Sequence, residues 1–241
     1  FSNDFIEQYA NLTLENVAIK LNDENIHSLN QPTTPLFLID GVSRRMHRGK
    51  VSIRNFKLEL DISEDLILPL KPLFKIRNFA AANLHSLSLT KRNLNLITSQ
   101  NLLEFENIKL LKLSNINFSQ NQITVPSSSN LISIKEVQNV TINSLELDSN
   151  NFQTLKTDAL HFHLNLFDIV DAQRIKISNH SLSSNTFGGF IRIFKIRGSE
   201  NSPDMNLEIN DLLITRNNNE KLSSNLFTYL SLQGLPFSDL N

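Results

Sequence analysis

The sequence predicts an all-β fold, a right-handed parallel β-helix in which short strands stack coil upon coil around one interior. Three observations predict it. A strand-asparagine-strand pattern recurs along the chain, a second series of apolar segments runs out of phase with it, and no break in composition divides the 241 residues. Such repetition is typical of a solenoid, which carries one core along its axis without splitting into domains.

The first pattern has alternating apolar residues on both sides of an asparagine. Its clear copies are Leu12-Leu14-Asn16-Val17-Ile19, Val51-Ile53-Asn55-Phe56-Leu58 and Leu111-Leu113-Asn115-Ile116-Phe118; its looser copies are Leu87-Leu89-Asn93-Leu94-Leu96, Val140-Ile142-Asn143-Leu145-Leu147, Ile175-Ile177-Asn179-Leu182 and Leu207-Ile209-Asn210-Leu212-Ile214. Because successive side chains of a strand point to opposite faces, this alternation buries one face. The alignment places Leu113, Ile142 and Ile177 in one interior column.

The second series supplies a further strand in each period. Its members lie at residues 35–39, 72–76, 102–105, 131–134, 160–164, 190–193 and 226–230. Together with the two halves of the first pattern, they predict three short strands per turn and about seven coils over residues 11–233.

Asparagine is the predicted bend residue between the two halves of the first pattern. It adopts the left-handed backbone conformation at lower cost than most residues that carry a Cβ. Asparagines stacked in register also hydrogen-bond to their copies in adjacent coils. The 32 asparagines of the chain therefore predict ladders along the bends.

The two ends carry different signals. Residues 1–10 predict a short capping helix, since Ser2-Asn3-Asp4 can cap a helix with Phe5 and Tyr9 on one side. Residues 234–241 predict an irregular segment that continues into a larger protein. A solenoid end exposes unpaired strand edges, so we expect further coils or another protein subunit to pair with residues 226–232. The first residue, Phe1, predicts a processed protein or a segment of a longer one.

A leucine-rich repeat is the main alternative, because Ile108-Leu111-Leu113-Asn115 nearly matches its consensus. However, the asparagine comes one position early. In the rest of each period, apolar and polar residues alternate with a period of two, whereas a leucine-rich repeat needs a helix or an irregular convex side there. The alternation favours the β-helix.

Charge and composition exclude several classes of function. The formal net charge is −1 and the isoelectric point is about 6.7, which gives no electrostatic support for nucleic-acid binding. The absence of cysteine excludes disulfides, thiolate catalysis and cysteine-based zinc sites. No apolar run is long enough to span a bilayer. We expect no nucleic-acid partner and no membrane span.

The repeats resemble the pectin-lyase-like right-handed β-helix, a superfamily that includes polysaccharide lyases and hydrolases as well as inert surface proteins. The resemblance covers about residues 11–233. In its asparagine-rich, glycine-poor style the chain looks most like repeats of large protist (ciliate-type) surface proteins. The resemblance implies that an enzyme would carry clustered acids on the outward face of one sheet. The outward positions of the first pattern are instead Thr13, Ser52, Ser88, Lys112, Thr141, Lys176 and Glu208. We therefore predict no catalytic residues and no enzyme.

The outward face of the second series is charged. Its predicted positions are Lys75, Glu104, Ser133, His161, Arg192 and Thr228, with Arg77, Glu106, Lys135 and His163 two residues further on. Opposite charges on adjacent coils pair laterally, and we expect Lys75 with Glu104 and Glu106 with Lys135. The face is interpreted as a ladder that sets register, with ligand binding as the alternative.

Other polar clusters have plain interpretations. His161 and His163 share a face but lack an evident third metal ligand. Asp61, Glu64 and Asp65 fit an acidic loop, and the basic run of Arg44, Arg45, His47, Arg48 and Lys50 fits a solvated loop with anion, glycan or partner contact as the alternative. We predict no metal and no cofactor. The glycosylation motifs at Asn11, Asn117, Asn139 and Asn179 are no more frequent than chance predicts in so asparagine-rich a chain.

These observations predict a non-catalytic structural or adhesive module of a larger extracellular or cell-surface assembly. Two alternatives stay open: a carbohydrate-active lyase or hydrolase, which needs a carboxylate cluster on a lateral face, and a glycan-binding module, which needs an exposed row of aromatic residues.

Overall fold

The computed structural model describes residues 11–22, 35, 37–41, 49–61, 72, 74–90, 93–95, 101–125, 129–154, 163–198, 205–219 and 226–233. Every regular element in these ranges is a β-strand, which confirms the all-β prediction. The strands are β1 (Asn11–Glu15), β2 (Ala18–Asn22), β3 (Phe37–Asp40), β4 (Lys50–Asp61), β5 (Phe74–Thr90), β6 (Asn93–Asn95), β7 (Asn101–Ser119), β8 (Gln122–Val125), β9 (Ser129–Asp148), β10 (Asn151–Thr154), β11 (Leu164–Val170), β12 (Arg174–Ser183), β13 (Thr186–Gly188), β14 (Phe190–Arg197), β15 (Asn206–Ile209), β16 (Leu212–Thr215), β17 (Asn218–Asn219) and β18 (Leu226–Gln233).

All strand pairings between described residues are parallel, and they form two sheets. Thirteen strands belong to the larger sheet, while β6, β8, β10, β13 and β17 form the smaller one. The smaller sheet occupies a side where a leucine-rich repeat would need a helix. The parallel solenoid is therefore confirmed, and the leucine-rich alternative is wrong for the described residues.

Residues 101–125 show how one turn is built. Two residues of β7, Asn107 and Asn115, each have a φ of 53° and divide the strand into three segments. Gln120, with a φ of 55°, then separates β7 from β8. A turn thus contains four extended segments, one more than the sequence predicted, because the short strands of the smaller sheet were not recognised.

The non-glycine residues with positive φ stack in three columns, one for each bend. The first bend has Asn78, Asn107, Glu136 and Asp171, the second has Asn16, Asn55, Ser86, Asn115, Ser144, Asn179 and Asp211, and the third has Gln120, Ser149, Ser184 and Arg216. A left-handed conformation costs roughly 1–2 kcal/mol for an ordinary residue and less for Asn or Asp. Sheet register on both sides of each bend therefore imposes this conformation on serine, glutamine, glutamate and arginine as well.

The copy of the first pattern predicted to begin at Leu87 is out of register. Ala82 pairs with Val51 and Leu111, whereas Leu87 pairs with Phe56 and therefore lies after the bend. The true copy begins at Ala82 and bends at Ser86. The predicted copy was displaced because the pattern required an asparagine at the bend, whereas a serine occupies the left-handed position in this turn.

Two further bends were displaced by one residue for the same reason. The left-handed residues are Ser144 and Asp211, where the sequence analysis chose Asn143 and Asn210. With these corrections, every described copy has the same spacing between its apolar residues and its bend. The repeat is more regular than an asparagine-only search indicates.

The inward residues form one continuous core. Leu113, Ile142 and Ile177 pair in register and each is 0% exposed, which confirms the predicted interior column. Aromatic rings also stack between turns, with centroids 4.9 Å apart for Phe167 and Phe194. Burial of this apolar column is the main stabilising term of the fold.

A ladder of buried asparagines follows the third bend. The Nδ2 of Asn150 donates to the Oδ1 of Asn185 at 2.9 Å and to the carbonyl of Phe118 at 2.7 Å. The preceding asparagine, Asn121, and the following one, Asn217, extend the same ladder at 2.9 Å. Asparagine ladders were predicted, and one does join Asn55 to Asn16 at the second bend. The continuous buried ladder was missed.

The described residues make about four complete turns and only parts of others, so the prediction of about seven coils is not confirmed. The predicted capping helix at residues 1–10 and the irregular segment at 234–241 lie outside the described residues. Among the described residues, no helix has the length and apolar character that crossing a membrane requires.

Candidate functional site

The candidate site is a line of polar residues on the outward face of the first segment of each turn. We call it the charged column, and it consists, in register, of Lys75, Glu104, Ser133, Asp168, Lys195 and Ser231. A second line runs beside it through Asp40, Arg77, Glu106, Lys135, Val170, Arg197 and Gln233. Parallel pairing in register is what brings these residues, which are far apart in sequence, together.

Glu104 is the centre of the first part of the column. Its carboxylate accepts hydrogen bonds from Lys75 at 2.7 Å and from Asn101 at 2.8 Å. Burial alone would raise the pKa of Glu104, but the hydrogen bonds from these two side chains outweigh it and lower the pKa. The predicted Lys75–Glu104 pair is therefore confirmed.

The second predicted pair, Glu106 with Lys135, is replaced by different partners. Glu106 forms an ion pair with Lys75, and the Nζ of Lys135 lies 4.0 Å from the Oε1 of Glu104. Burial would lower the pKa of Lys75, but hydrogen bonds to Glu104 and Glu106 raise it. One lysine thus bridges two carboxylates on the next turn.

Asp168 organises the second part of the column. Arg197 donates to both of its carboxylate oxygens, from Nε at 3.1 Å and from Nη2 at 2.6 Å. Asn130 approaches Asp168 at 3.3 Å and donates to Asn101 at 3.0 Å, while Asn165 donates to Asn130 at 2.7 Å. An amide ladder therefore connects the surroundings of Glu104 and Asp168.

Ser133 lies between these two carboxylate positions in register. Its side chain is 0% exposed, and its hydroxyl has no hydrogen-bond partner among the described residues. The column is therefore recessed at this point.

The predicted outward face was right for the first three turns and wrong for the later ones. In place of His161 and Arg192, the register aligns Asp168 and Lys195 with Ser133. Extra residues precede β11, and the apolar pattern at residues 160–164 was mistaken for this strand. The predicted strand was therefore displaced toward the amino terminus. His161 lies outside the described residues.

His163 is half-buried, and its ring contacts protein side chains. Its Nε2 lies 3.5 Å from an Nη2 of Arg192, and its ring contacts Phe190 edge to face. The described residues contain no cluster of three side chains with metal-ligand chemistry. The residues predicted to form acidic and basic loops lie mostly outside the described ranges, apart from the backbone of Asp61 and the exposed Lys50.

The outward column of the first pattern, where the family resemblance implied catalytic acids, contains a single carboxylate among the described residues. The corrected register replaces Ser88 by Asn83. Its one carboxylate, Glu208, accepts a hydrogen bond from Lys176 at 2.7 Å. The next outward line contains Glu15, which Arg54 contacts at 3.2 Å.

A shallow polar groove lies along the second bend. Its lining residues are Asn115, Ile116, Asn117, Ser144, Leu145, Glu146, Asn179 and Ser181. Two of the glycosylation-motif asparagines lie here: Asn117 is half-buried and donates to Glu146 at 3.0 Å, whereas Asn179 is exposed and donates to Asn143 at 2.8 Å. Of the other two, Asn11 is exposed and Asn139 is half-buried.

Comparison with known proteins returned no match: no family model, no curated protein and no solved structure matches this chain. The coarse likeness to a pectin-lyase-like β-helix therefore rests on the parallel solenoid itself. The finer likeness to protist surface repeats stays a prediction.

Proposed function

We propose that this chain is a non-catalytic structural or adhesive solenoid module that assembles through its carboxyl-terminal turn. The observation that carries the proposal is the edge of the last described turn. Among the described residues, β15 and β16 pair there only with β12, and β18 pairs only with β14. An open edge of parallel strands is a template for a further strand.

The apolar residues of that turn support the same proposal. Leu212 and Ile214 align with the inward residues His180 and Leu182 of the turn before, yet they are 41% and 45% exposed. Leu182 is 0% exposed. Another turn stacked in register would bury both side chains in the way that this turn buries Leu182.

Self-association tests the proposal. We expect residues 1–241 to associate as concentration rises in analytical ultracentrifugation, and Ile214→Lys to abolish association. The control is Leu110→Lys, since Leu110 is 53% exposed on a lateral face, outside the last turn. A wild-type chain that stays monomeric, with slow amide exchange in β16, would contradict the proposal.

The assignment as non-catalytic is supported by the partners of the acids in the charged column. Glu104 and Asp168 each receive hydrogen bonds from a cation and an amide, whereas a glycosidase needs one carboxyl group that is protonated and poised. We expect no turnover on a panel of pectins and neutral glycans. Turnover that disappears in Glu104→Gln or Asp168→Asn would overturn this assignment. The extracellular or cell-surface location stays a prediction.

A further inference from the structure

The charged column changes character along its length. In its first part, the carboxylates of Asp40, Glu104 and Glu106 face the cations of Lys75, Arg77 and Lys135, so the charges balance. Its last part, on β14, contains Lys195, with Arg197 in the line beside it and a third cation, Arg192, three residues before Lys195 on the same strand. The pairing of opposite charges that stabilises the first part does not extend to the last part.

Asp168 is the acid that neighbours all three cations, and its two oxygens are occupied by Arg197. The described part of the chain offers no carboxylate in contact with Lys195 or Arg192. Among the described residues, Arg192 approaches the Nε2 of His163 at 3.5 Å. Two half-buried cations are therefore left without an ion-pair partner among the described residues.

The described residues of the next turn add no acid in register with these cations. In register with the three cations, β18 places Thr228, Ser231 and Gln233, all of them neutral. Their hydroxyl and amide groups can donate hydrogen bonds. Cations and neutral donors thus lie in register on adjacent turns.

The electrostatics agree with this geometry. Burial lowers the pKa of Lys195, and the charges of Arg197 and Arg192 lower it further against the opposing effect of Asp168. Burial also lowers the pKa of Arg192. Clustered cations repel one another, so a counter-charge at this place would be stabilising.

We propose that Arg192 and Lys195, with Ser231 and Thr228 from the adjacent turn, form a binding site for an oxyanion group, namely a carboxylate, sulfate or phosphate. Arginine and lysine are the side chains that proteins use most often to bind such groups, and hydroxyl donors complete their coordination. The proposal goes beyond the structural role, because it assigns a ligand chemistry to one end of the column.

Titration calorimetry with sodium sulfate, phosphate, acetate and glucuronate, each against chloride at equal ionic strength, tests the site. We expect saturable binding of at least one of these anions, and their order of affinity identifies which oxyanion the site prefers. Lys195→Gln should weaken that binding at least tenfold. Lys112→Gln, which removes an exposed lysine from another face, should leave it unchanged.

A second pair of variants tests the site without removing a cation. Ser231→Glu places a carboxylate opposite Lys195 and should abolish binding while raising the midpoint of thermal unfolding in chloride. Ser231→Gln is similar in size to Ser231→Glu but carries no charge, and should weaken binding far less than Ser231→Glu does. Absence of saturable binding in the wild-type chain, or equal binding by the two Ser231 variants, would overturn the proposal.

Discussion

At the scale of single residues, asparagine has two separate tasks in this chain. Exposed asparagines such as Asn55 and Asn179 occupy left-handed bends. Buried ones such as Asn150 and Asn185 follow the third bend and satisfy backbone groups inside the turn. An amide side chain can do both because it carries two donors and an acceptor on a short stem.

The buried ladder predicts a large effect of Asn150→Ala. Replacement removes the acceptor of the Asn121 backbone and side chain and the donor to the Phe118 carbonyl. Unpaired buried polar groups cost about 1–3 kcal/mol each, so we expect a loss of about 2–4 kcal/mol in the free energy of unfolding. Urea denaturation measures it, and the exposed Asn206→Ala should change it by less than about 0.5 kcal/mol. Equal effects of the two substitutions would contradict the ladder's role.

His180 is a titratable residue at an inward position of the core. His180 occupies the inward position held by Leu145 and Leu212 in the adjacent turns, is 2% exposed, and forms a hydrogen bond between its Nε2 and the hydroxyl of Tyr229. Burial lowers the pKa of His180, and the charge of Asp211 opposes this shift. The folded chain therefore favours the neutral imidazole.

This histidine predicts a loss of stability in acid. Between the lowered folded pKa and the unfolded pKa of about 6.5, the unfolded chain binds more protons, so the stabilisation is complete above about pH 6.5 and declines as the pH falls below it. The double variant His180→Leu/Tyr229→Phe removes the titrating group and its hydroxyl partner together. Urea denaturation between pH 8 and pH 5 should show a smaller decline for the double variant than for the wild-type chain. Parallel declines would show that the pKa of His180 is not lowered in the folded chain.

At the scale of elements, the bends determine where each strand segment begins. Each turn is a nearly continuous ribbon, and β7, for example, is interrupted only by left-handed residues at Asn107 and Asn115. A single left-handed residue turns the chain without breaking the pairing on either side. Bend position, rather than bend residue type, is therefore what repeats.

The bends predict that side-chain shape decides the effect of substitutions there. Ser144 has a φ of 58°, so Ser144→Val should cost about 1–2 kcal/mol, because a β-branched residue resists the left-handed conformation. Ser144→Asn should be neutral or slightly stabilising. Thr141→Val, in the preceding extended segment, is the matched control and should cost little. A similar cost for both valine variants would argue against strain at the bend.

At the scale of the whole molecule, the strands of each described turn pair only with those of the neighbouring turns. The central strands β7 and β9 pair on both sides, whereas β15, β16 and β18 pair on one. Stability in such an array is close to a sum over turns and their interfaces. The last described turn should therefore open more readily than the central ones.

Hydrogen exchange checks this gradient. We expect slow exchange for amides of β7 and β9, and exchange faster by at least tenfold for β15 and β16, because opening the last turn breaks one interface and opening a central turn breaks two. Ile214→Lys, which prevents association, serves as the control for protection by a second copy. Uniform exchange from β7 to β16 would show that the solenoid opens as one unit.

The sequence alone determined the fold class and much of the core. Alternation of apolar residues is a local property, since the pleat of a strand assigns faces without reference to neighbours, and Leu113, Ile142 and Ile177 were placed correctly by it. The Lys75–Glu104 pair was also predicted, because these residues lie on adjacent turns and few residues are inserted in the chain between them.

Only the tertiary structure decided the register of the later turns, the fourth segment and the charged column beyond Ser133. These depend on which residue of a loop accepts the left-handed bend, and Ser86 and Ser144 accept it as Asn55 does. The sequence does not mark that choice, because hydrogen bonding to adjacent turns supplies the energy that overrides the preference of the residue. The alignment of Asp168 and Lys195 with Ser133 follows from that pairing, which is why the cationic end of the column became visible only in the folded chain.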